Sequence, residues 1–171
     1  VDVRIDGFRV ERAPEWRGQR VFVRHEVGGK SYELRLSEES AGTQKLMGLA
    51  AYLMTALERG GTVVVDELDA KLHPKLLRYV ILLFKDPEVN KSGAQVIFSS
   101  QDVSTMRNDV FRRDEIWFAA RGEGEASQLW SLADIHEANG NLVSKNAAFD
   151  KQYLSGRYGA DPYLTRIEEW D

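Results

Sequence analysis

Two adjacent carboxylates, Asp66 and Glu67, directly follow a short apolar run, and Asp69 lies just beyond them. The apolar run, Thr62–Val65, predicts a short strand that is buried on both faces. A buried strand that ends in carboxylates presents them where open α/β sheets bind ligands. There an Asp can hold Mg²⁺ through its water shell, and a Glu can orient or deprotonate an attacking water. The residue types therefore indicate nucleotide chemistry, although a solvated acidic turn remains the alternative for this stretch alone.

The overall composition is that of an ordinary globular domain, and it excludes several kinds of site. The chain has 171 residues, of which 43% are hydrophobic and 29% charged, enough for one domain with its own core. The formal net charge of −4 does not favour general binding to duplex nucleic acid. The absence of cysteine excludes disulfides and thiolate metal sites. No apolar run approaches the roughly 20 residues of a membrane helix, so we expect a cytoplasmic protein.

The residues before the carboxylates predict antiparallel strands. Residues 1–11 alternate between apolar and charged side chains, which is the period of a half-buried strand. Gly28 and Gly29 lie between two further strand-like runs and predict a hairpin turn. Another turn is expected at Pro14–Gly18. The chain begins in this strand pattern without a Met, which leaves open whether it is a fragment.

A long helix is predicted next, and its start carries a second candidate site. Apolar residues recur at helical spacing from Leu46 to Leu57. Before them come Ser40 and Gly42. Taken alone, Ser40 is best interpreted as an N-cap, with Gly42 incidental. The alternative is an anion site, because free backbone N–H groups, a hydroxyl and a close-approach glycine at a helix N-terminus also suit a phosphate.

The carboxylates lie between the first strand and the helix of a predicted strand–helix–strand unit. The helix is predicted from about Pro74 to Phe84, and the second buried strand at Gln95–Ser99. Such a unit implies a parallel strand pair with a right-handed crossover. Gln101 follows the second strand, so we expect it at the same sheet edge as the carboxylates. Beyond it, the pattern predicts an antiparallel edge hairpin from strands at 115–120 and 128–131, a short helix at 147–154, and a tail that packs against the domain.

Three motifs in this order, SAGTQKL, TVVVDELDAKLHP and FSSQD, resemble the C-terminal half of an ABC-type ATPase head. The chain looks closest to AAA-type, ABC-like ATPases of bacterial phage-defence and abortive-infection systems, relatives of the OLD and SMC-type ATPases. The resemblance implies a P-loop NTPase-like partial domain of the α/β class, with a mostly parallel sheet flanked by helices, antiparallel N-terminal strands and an edge hairpin. It divides the chain into strands at 1–36, the motif region at 37–135 and a tail at 136–171.

The resemblance also implies a role for the candidate residues. Ser40 and Gly42 would form the signature that touches the γ-phosphate of ATP. Asp66 would be the Walker B carboxylate associated with Mg²⁺, and Glu67 the catalytic base. Asp69 would be the D-loop residue that crosses a dimer interface.

Two features depart from the family pattern. The sequence contains no G-x-x-x-x-G-K-[ST] phosphate loop, and Lys30-Ser31 after the glycine pair mimics only the end of one. Gln101 stands where the family usually has a switch His. A Gln amide can donate a hydrogen bond to a γ-phosphate, but it cannot carry a proton.

Three hypotheses follow for the function. In the first, the chain is part of an ATPase that binds ATP and Mg²⁺ between two heads. A Walker A half is supplied separately, and hydrolysis drives a partner or effector. The alternative is a degenerate, non-catalytic head that serves as an assembly or regulatory module. A third hypothesis, a Mg²⁺-dependent nuclease built on Asp66, Glu67 and Asp69, lacks a supporting Lys or His at a recognisable spacing.

Overall fold

The computed structural model is a mixed α/β fold, and it describes residues 3–12, 19–121, 126–137 and 140–160. The chain divides into two units, one formed by Val1–His73 and Phe84–Phe98 and the other by Pro74–Leu83 and Ser99–Asp171. None of the helices in the described residues is long and apolar enough to span a membrane. The elements in chain order are β1 Val3–Arg12, β2 Gln19–Val27, β3 Lys30–Arg35, α1 Ala41–Arg59, β4 Thr62–Val65, α2 Pro74–Lys85, β5 Gln95–Phe98, β6 Trp117–Arg121, β7 Ser127–Ser131 and α3 Phe149–Leu154.

The first three strands form an antiparallel sheet in the order β1-β2-β3, as the alternating pattern predicts. Gly28 and Gly29 join β2 to β3 with φ values of 57° and 76°. Glycine adopts these left-handed angles without steric strain, so the pair allows a two-residue hairpin turn. The interpretation of this stretch as a turn is therefore confirmed. The turn predicted at residues 14–18 lies outside the described residues.

Helix α1 contains the predicted apolar stripe and ends at a glycine. Leu53 and Ala56 are its buried residues. Gly60 caps the helix with φ 69°, and a Cβ added there would lie 2.5 Å from the carbonyl oxygen of Ser92. The helix therefore ends where the backbone must turn left-handed and pass close to the 86–94 loop, which only glycine permits.

Strands β4 and β5 pair in parallel, as predicted, with Val64 opposite Ile97. The predictions that Thr62–Val65 is buried on both faces and that Gln95–Ser99 is a buried strand are wrong. Val65 is buried, but the side chains of Val64 and Ile97 are 74% and 58% exposed. The predictions assumed a wide sheet covered by helices on both faces, whereas the described residues form a sheet of only these two strands. One of its faces consequently leaves the two apolar side chains of Val64 and Ile97 open to solvent.

The second unit contains the predicted antiparallel hairpin, β6-β7, and a core of its own. Strand β6 begins at Trp117 rather than at Glu115, because Glu115 ends a short 3₁₀ turn. The tail packs as predicted: the Tyr158 ring lies 5.3 Å from that of Phe118, and its hydroxyl bonds to Gln152 at 2.6 Å. The residues that join the two predicted hairpin strands, at 122–125, and the residues after 160 lie outside the described part. The buried core residues are Ile116, Phe118, Leu132, Val143, Phe149 and Tyr158.

Candidate functional site

Asp66 and Glu67 open a turn of residues 66–72, which we call the acidic turn, directly after β4. Both carboxylate side chains are exposed. Leu68, which follows them, is fully buried and anchors the turn. Glu67 has φ 48° and Lys71 has φ 66°, a left-handed conformation that side-chain-bearing residues rarely adopt. Such strain costs about 1–3 kcal/mol per residue and persists only where neighbouring structure holds it.

Ser40 caps the N-terminus of α1. Its Oγ accepts a hydrogen bond from the backbone N–H of Thr43 at 3.1 Å and lies 2.9 Å from the Thr43 hydroxyl. The N-cap interpretation of Ser40 is therefore confirmed. Since the Ser40 side chain is exposed, the cap also presents its hydroxyl at the surface.

Helix α1 contacts the acidic turn at two points. The Lys45 ammonium donates a hydrogen bond to the backbone carbonyl oxygen of Glu67, which also accepts from the Ala70 N–H at 3.0 Å. Gly42 packs on the carbonyl of Lys71: a Cβ added to the glycine would lie 2.7 Å from that oxygen. Gly42 is thus not incidental, since its lack of a side chain lets the helix approach the turn.

A cavity of about 390 Å³ lies where α1 and the acidic turn meet. Two lysine side chains and the first turn of a helix make its surroundings favourable to an anion. Lys45 and Lys71 were not singled out from the sequence, although both lie within the motifs that carry the resemblance. The available signal was weak: Lys71 lies beside the acidic motif, but Lys45 lies 22 residues before Glu67. The lining residues are Ala41, Gln44, Lys45, Ala70 and Lys71.

Asp66 has the chemistry of a Mg²⁺ ligand. It offers exposed carboxylate oxygens at the end of β4, and Mg²⁺ in nucleotide sites commonly uses one or two carboxylates with phosphates and water. Within the described ranges, no three His, Asp or Glu side chains converge as metal ligands. Asp66, Glu67 and Asp69 therefore do not form the acidic cluster that the nuclease hypothesis requires. The Oδ1 atom of Asp69 is buried.

Gln101 belongs to the second unit. It is exposed and precedes a short 3₁₀ turn that Asp102 caps by accepting from the Ser104 N–H at 2.7 Å. Its approach to Asp66 and Glu67 stays a prediction from the parallel pairing of β4 and β5.

The close approach of Gly42 can be tested by substitution. Gly42→Ala should lower the free energy of unfolding by about 1–3 kcal/mol, because the new methyl group overlaps the Lys71 carbonyl and forces the turn to move. Gly48→Ala is the matched control in the same helix, since an added Cβ there meets nothing within 4 Å. It should raise stability by roughly 0.5–1 kcal/mol. Urea unfolding of both variants measures this, and equal stabilities would contradict the observed contact.

The chain is similar to one described protein family and to a solved structure. Residues 2–107, more than half of the chain, match the family described as "AAA domain, putative AbiEii toxin, Type IV TA system". One similar solved structure comes from work on the ATP-driven dimerization and DNA-stimulated activation of SMC ATPases. It is 18% identical, with a TM-score of 0.49, and the match covers 75% of this chain and 71% of that chain. No curated protein matches the sequence.

Proposed function

The chain belongs to this family of AbiEii-like AAA domains. From that premise we propose that it is one part of an ATPase head, and that the complete head hydrolyses ATP as a dimer. The observation that carries the proposal is the meeting of three features in one place. These are the N-terminus of α1, the basic cavity beside it and the acidic turn at the end of β4. The helix N-terminus and the lysines attract the phosphate of nucleotide held by the second head, while the carboxylates supply a metal ligand and a base at the nucleotide of their own head.

Each candidate residue has a role in this proposal. Asp66 holds Mg²⁺ through water, and the ion, when bound, offsets the charge of the phosphates. The Glu67 carboxylate orients the attacking water and accepts its proton. Ser40 and Gly42 present the N-terminus of α1 to the γ-phosphate of nucleotide held by a second head.

Two further residues complete the proposed site. Asp69 lies at the interface with the second head. Gln101 donates an amide hydrogen bond to the γ-phosphate from the end of β5, in place of the usual His. The energy of hydrolysis drives a partner or effector, and phage defence is the proposed setting.

A separate Walker A half is part of the proposal, because the sequence contains no phosphate loop. The open face of the β4–β5 sheet supports it. Parallel sheets are normally covered on both faces, and a two-stranded sheet is marginally stable alone. The exposed side chains of Val64 and Ile97 therefore offer an apolar surface on which additional strands and helices can be added.

The alternative is a degenerate head that binds partners without hydrolysing ATP. Gln101 favours it, because an amide cannot relay a proton. The adjacent Asp66 and Glu67 oppose it, because an assembly module has no use for a base beside a metal ligand.

The 171-residue chain by itself should bind ATP·Mg²⁺ weakly, with a dissociation constant of about 1 mM or higher. This corresponds to a binding free energy of about 4 kcal/mol or less. The physical reason is that the missing phosphate loop supplies most backbone contacts to the phosphates. Isothermal calorimetry measures the affinity, and a dissociation constant of about 1 μM would show that the phosphate site is elsewhere. Hydrolysis after a Walker A half is added tests the function itself, and a completed head that binds ATP without turnover would favour the degenerate alternative.

A further inference from the structure

We propose that Lys45 is a positioning residue, which holds the backbone of Glu67 in its left-handed conformation and so aims the Glu67 carboxylate. The proposal rests on the function of Glu67 proposed above. It assigns to a side chain at the start of α1 a direct influence on the base that follows β4.

The conformation of the acidic turn supports this role for Lys45. Among the described residues, Glu67 and Lys71 are the two non-glycine residues with positive φ. Both present their carbonyl oxygen to α1: that of Glu67 accepts from the Lys45 ammonium, and that of Lys71 lies against Gly42. The two unfavourable backbone conformations are thus found where the helix touches the turn, and neighbouring contacts are what maintain such conformations.

The strength of the hydrogen bond from Lys45 also supports this role. Lys45 donates a charge-assisted hydrogen bond, which is about twice as strong as one between neutral groups. The same Glu67 carbonyl closes the turn by accepting from the Ala70 N–H. Since the φ angle of Glu67 sets the direction of its Cα–Cβ bond, loss of the ammonium would let the residue relax and turn its carboxylate away from the reacting water.

This bond also gives the proposed dimer a means of coupling its sites. Ser40 caps the same helix that carries Lys45, and the proposed function places Ser40 at the nucleotide of the second head. A shift of α1 on binding that nucleotide would pull or release the Glu67 backbone. The competing role for Lys45 is direct contact with a phosphate in the cavity that it lines, and the tests below separate the two.

The backbone of Glu67 can be observed in the 171-residue chain by nuclear magnetic resonance. A residue with positive φ shows a strong intraresidue HN–Hα cross-peak and displaced carbon shifts. Lys45→Met should remove these signs at Glu67, whereas Lys45→Arg, which keeps a charged donor, should retain them. Lys71→Met is the matched control, because it removes a lysine from the same cavity without removing the bond to Glu67.

A double variant distinguishes repositioning from general damage to the fold. In Lys45→Met combined with Glu67→Gly, position 67 should again be left-handed, since glycine adopts this conformation readily. A Glu67 that stays left-handed in Lys45→Met alone would overturn the proposal. A double variant in which position 67 does not return to the left-handed conformation would also overturn it.

Kinetics of the head completed by a Walker A half provide the second readout. Lys45→Met should lower kcat about tenfold, the effect of losing one charge-assisted hydrogen bond, with KM for ATP unchanged. Lys45→Arg should recover most of the rate. Lys91→Met, at an exposed lysine after α2, controls for the change in net charge. A raised KM with unchanged kcat would mean that Lys45 contacts the nucleotide itself, and would overturn the positioning role.

The two readouts separate this inference from the proposed function. A completed wild-type head that does not hydrolyse ATP would refute the function of Glu67, while the resonance experiment would still decide whether Lys45 holds its backbone. A hydrolysing head in which Lys45→Met leaves both kcat and the Glu67 backbone unchanged would refute the positioning role alone.

Discussion

Replacing Glu67 by Gln in a head completed by a Walker A half should preserve ATP binding and remove most turnover. The amide has nearly the same size as the carboxylate but cannot accept a proton from the attacking water. Loss of a general base lowers the rate by typically about 10²–10⁴-fold. The exposed position of Glu67 predicts little change in stability, because a Gln of nearly the same size leaves no cavity. Steady-state phosphate release and the dissociation constant for ATP measure the two effects.

Glu88→Gln is the matched control, because Glu88 is exposed on the loop after α2 and undergoes the same change of charge and shape. It should hydrolyse ATP at the wild-type rate. A Glu67→Gln variant with a kcat comparable to that of the wild type would remove Glu67 from the role of base. Weakened ATP binding with normal kcat would instead make the carboxylate part of the binding site.

Gln101→His should raise ATP turnover in the same completed head by roughly 10–150-fold. Both side chains can donate a hydrogen bond to a γ-phosphate, but only the imidazole can add positive charge or relay a proton near neutral pH. A charge-assisted hydrogen bond made only in the transition state is worth about 1.5–3 kcal/mol, which gives that range. The exposed position of Gln101 predicts that folding is unaffected.

Gln128→His, at an exposed position on β7, provides the same substitution away from the proposed site and should leave the rate unchanged. Phosphate release from the three proteins, compared at matched stability, is the measurement. An unchanged or lower rate for Gln101→His would place Gln101 outside the switch position or make this head a binding module.

Local patterns in the sequence were sufficient to predict the regular elements. Alternation over residues 1–11, the Gly28-Gly29 pair and the helical spacing from Leu46 to Leu57 each correspond to an element at nearly the predicted bounds. The reason is that strand period, hairpin turns and helix stripes are encoded within a few residues of one another. The capping role of Ser40 is likewise local, since its partner Thr43 lies in the first turn of α1.

Exposure of the β4–β5 sheet could not be predicted in this way. An apolar run such as 62–65 indicates a strand, but the burial of its faces depends on how many strands and helices surround it. The 74% exposure of Val64 therefore reflects what packs on the sheet rather than the residues of the strand.

The sequence by itself determined which chemical groups are present: Asp66 and Glu67 after a strand, Ser40 and Gly42 at a helix start, and Gln101 after a second strand. Only the tertiary structure decided that Glu67 is left-handed and that Lys45, 22 residues earlier in the chain, holds its carbonyl. It also decided that Gly42 serves a close backbone approach to Lys71. Contacts of this kind join segments far apart in the chain, and they depend on the packing of α1 against the acidic turn, which no local pattern of residues encodes.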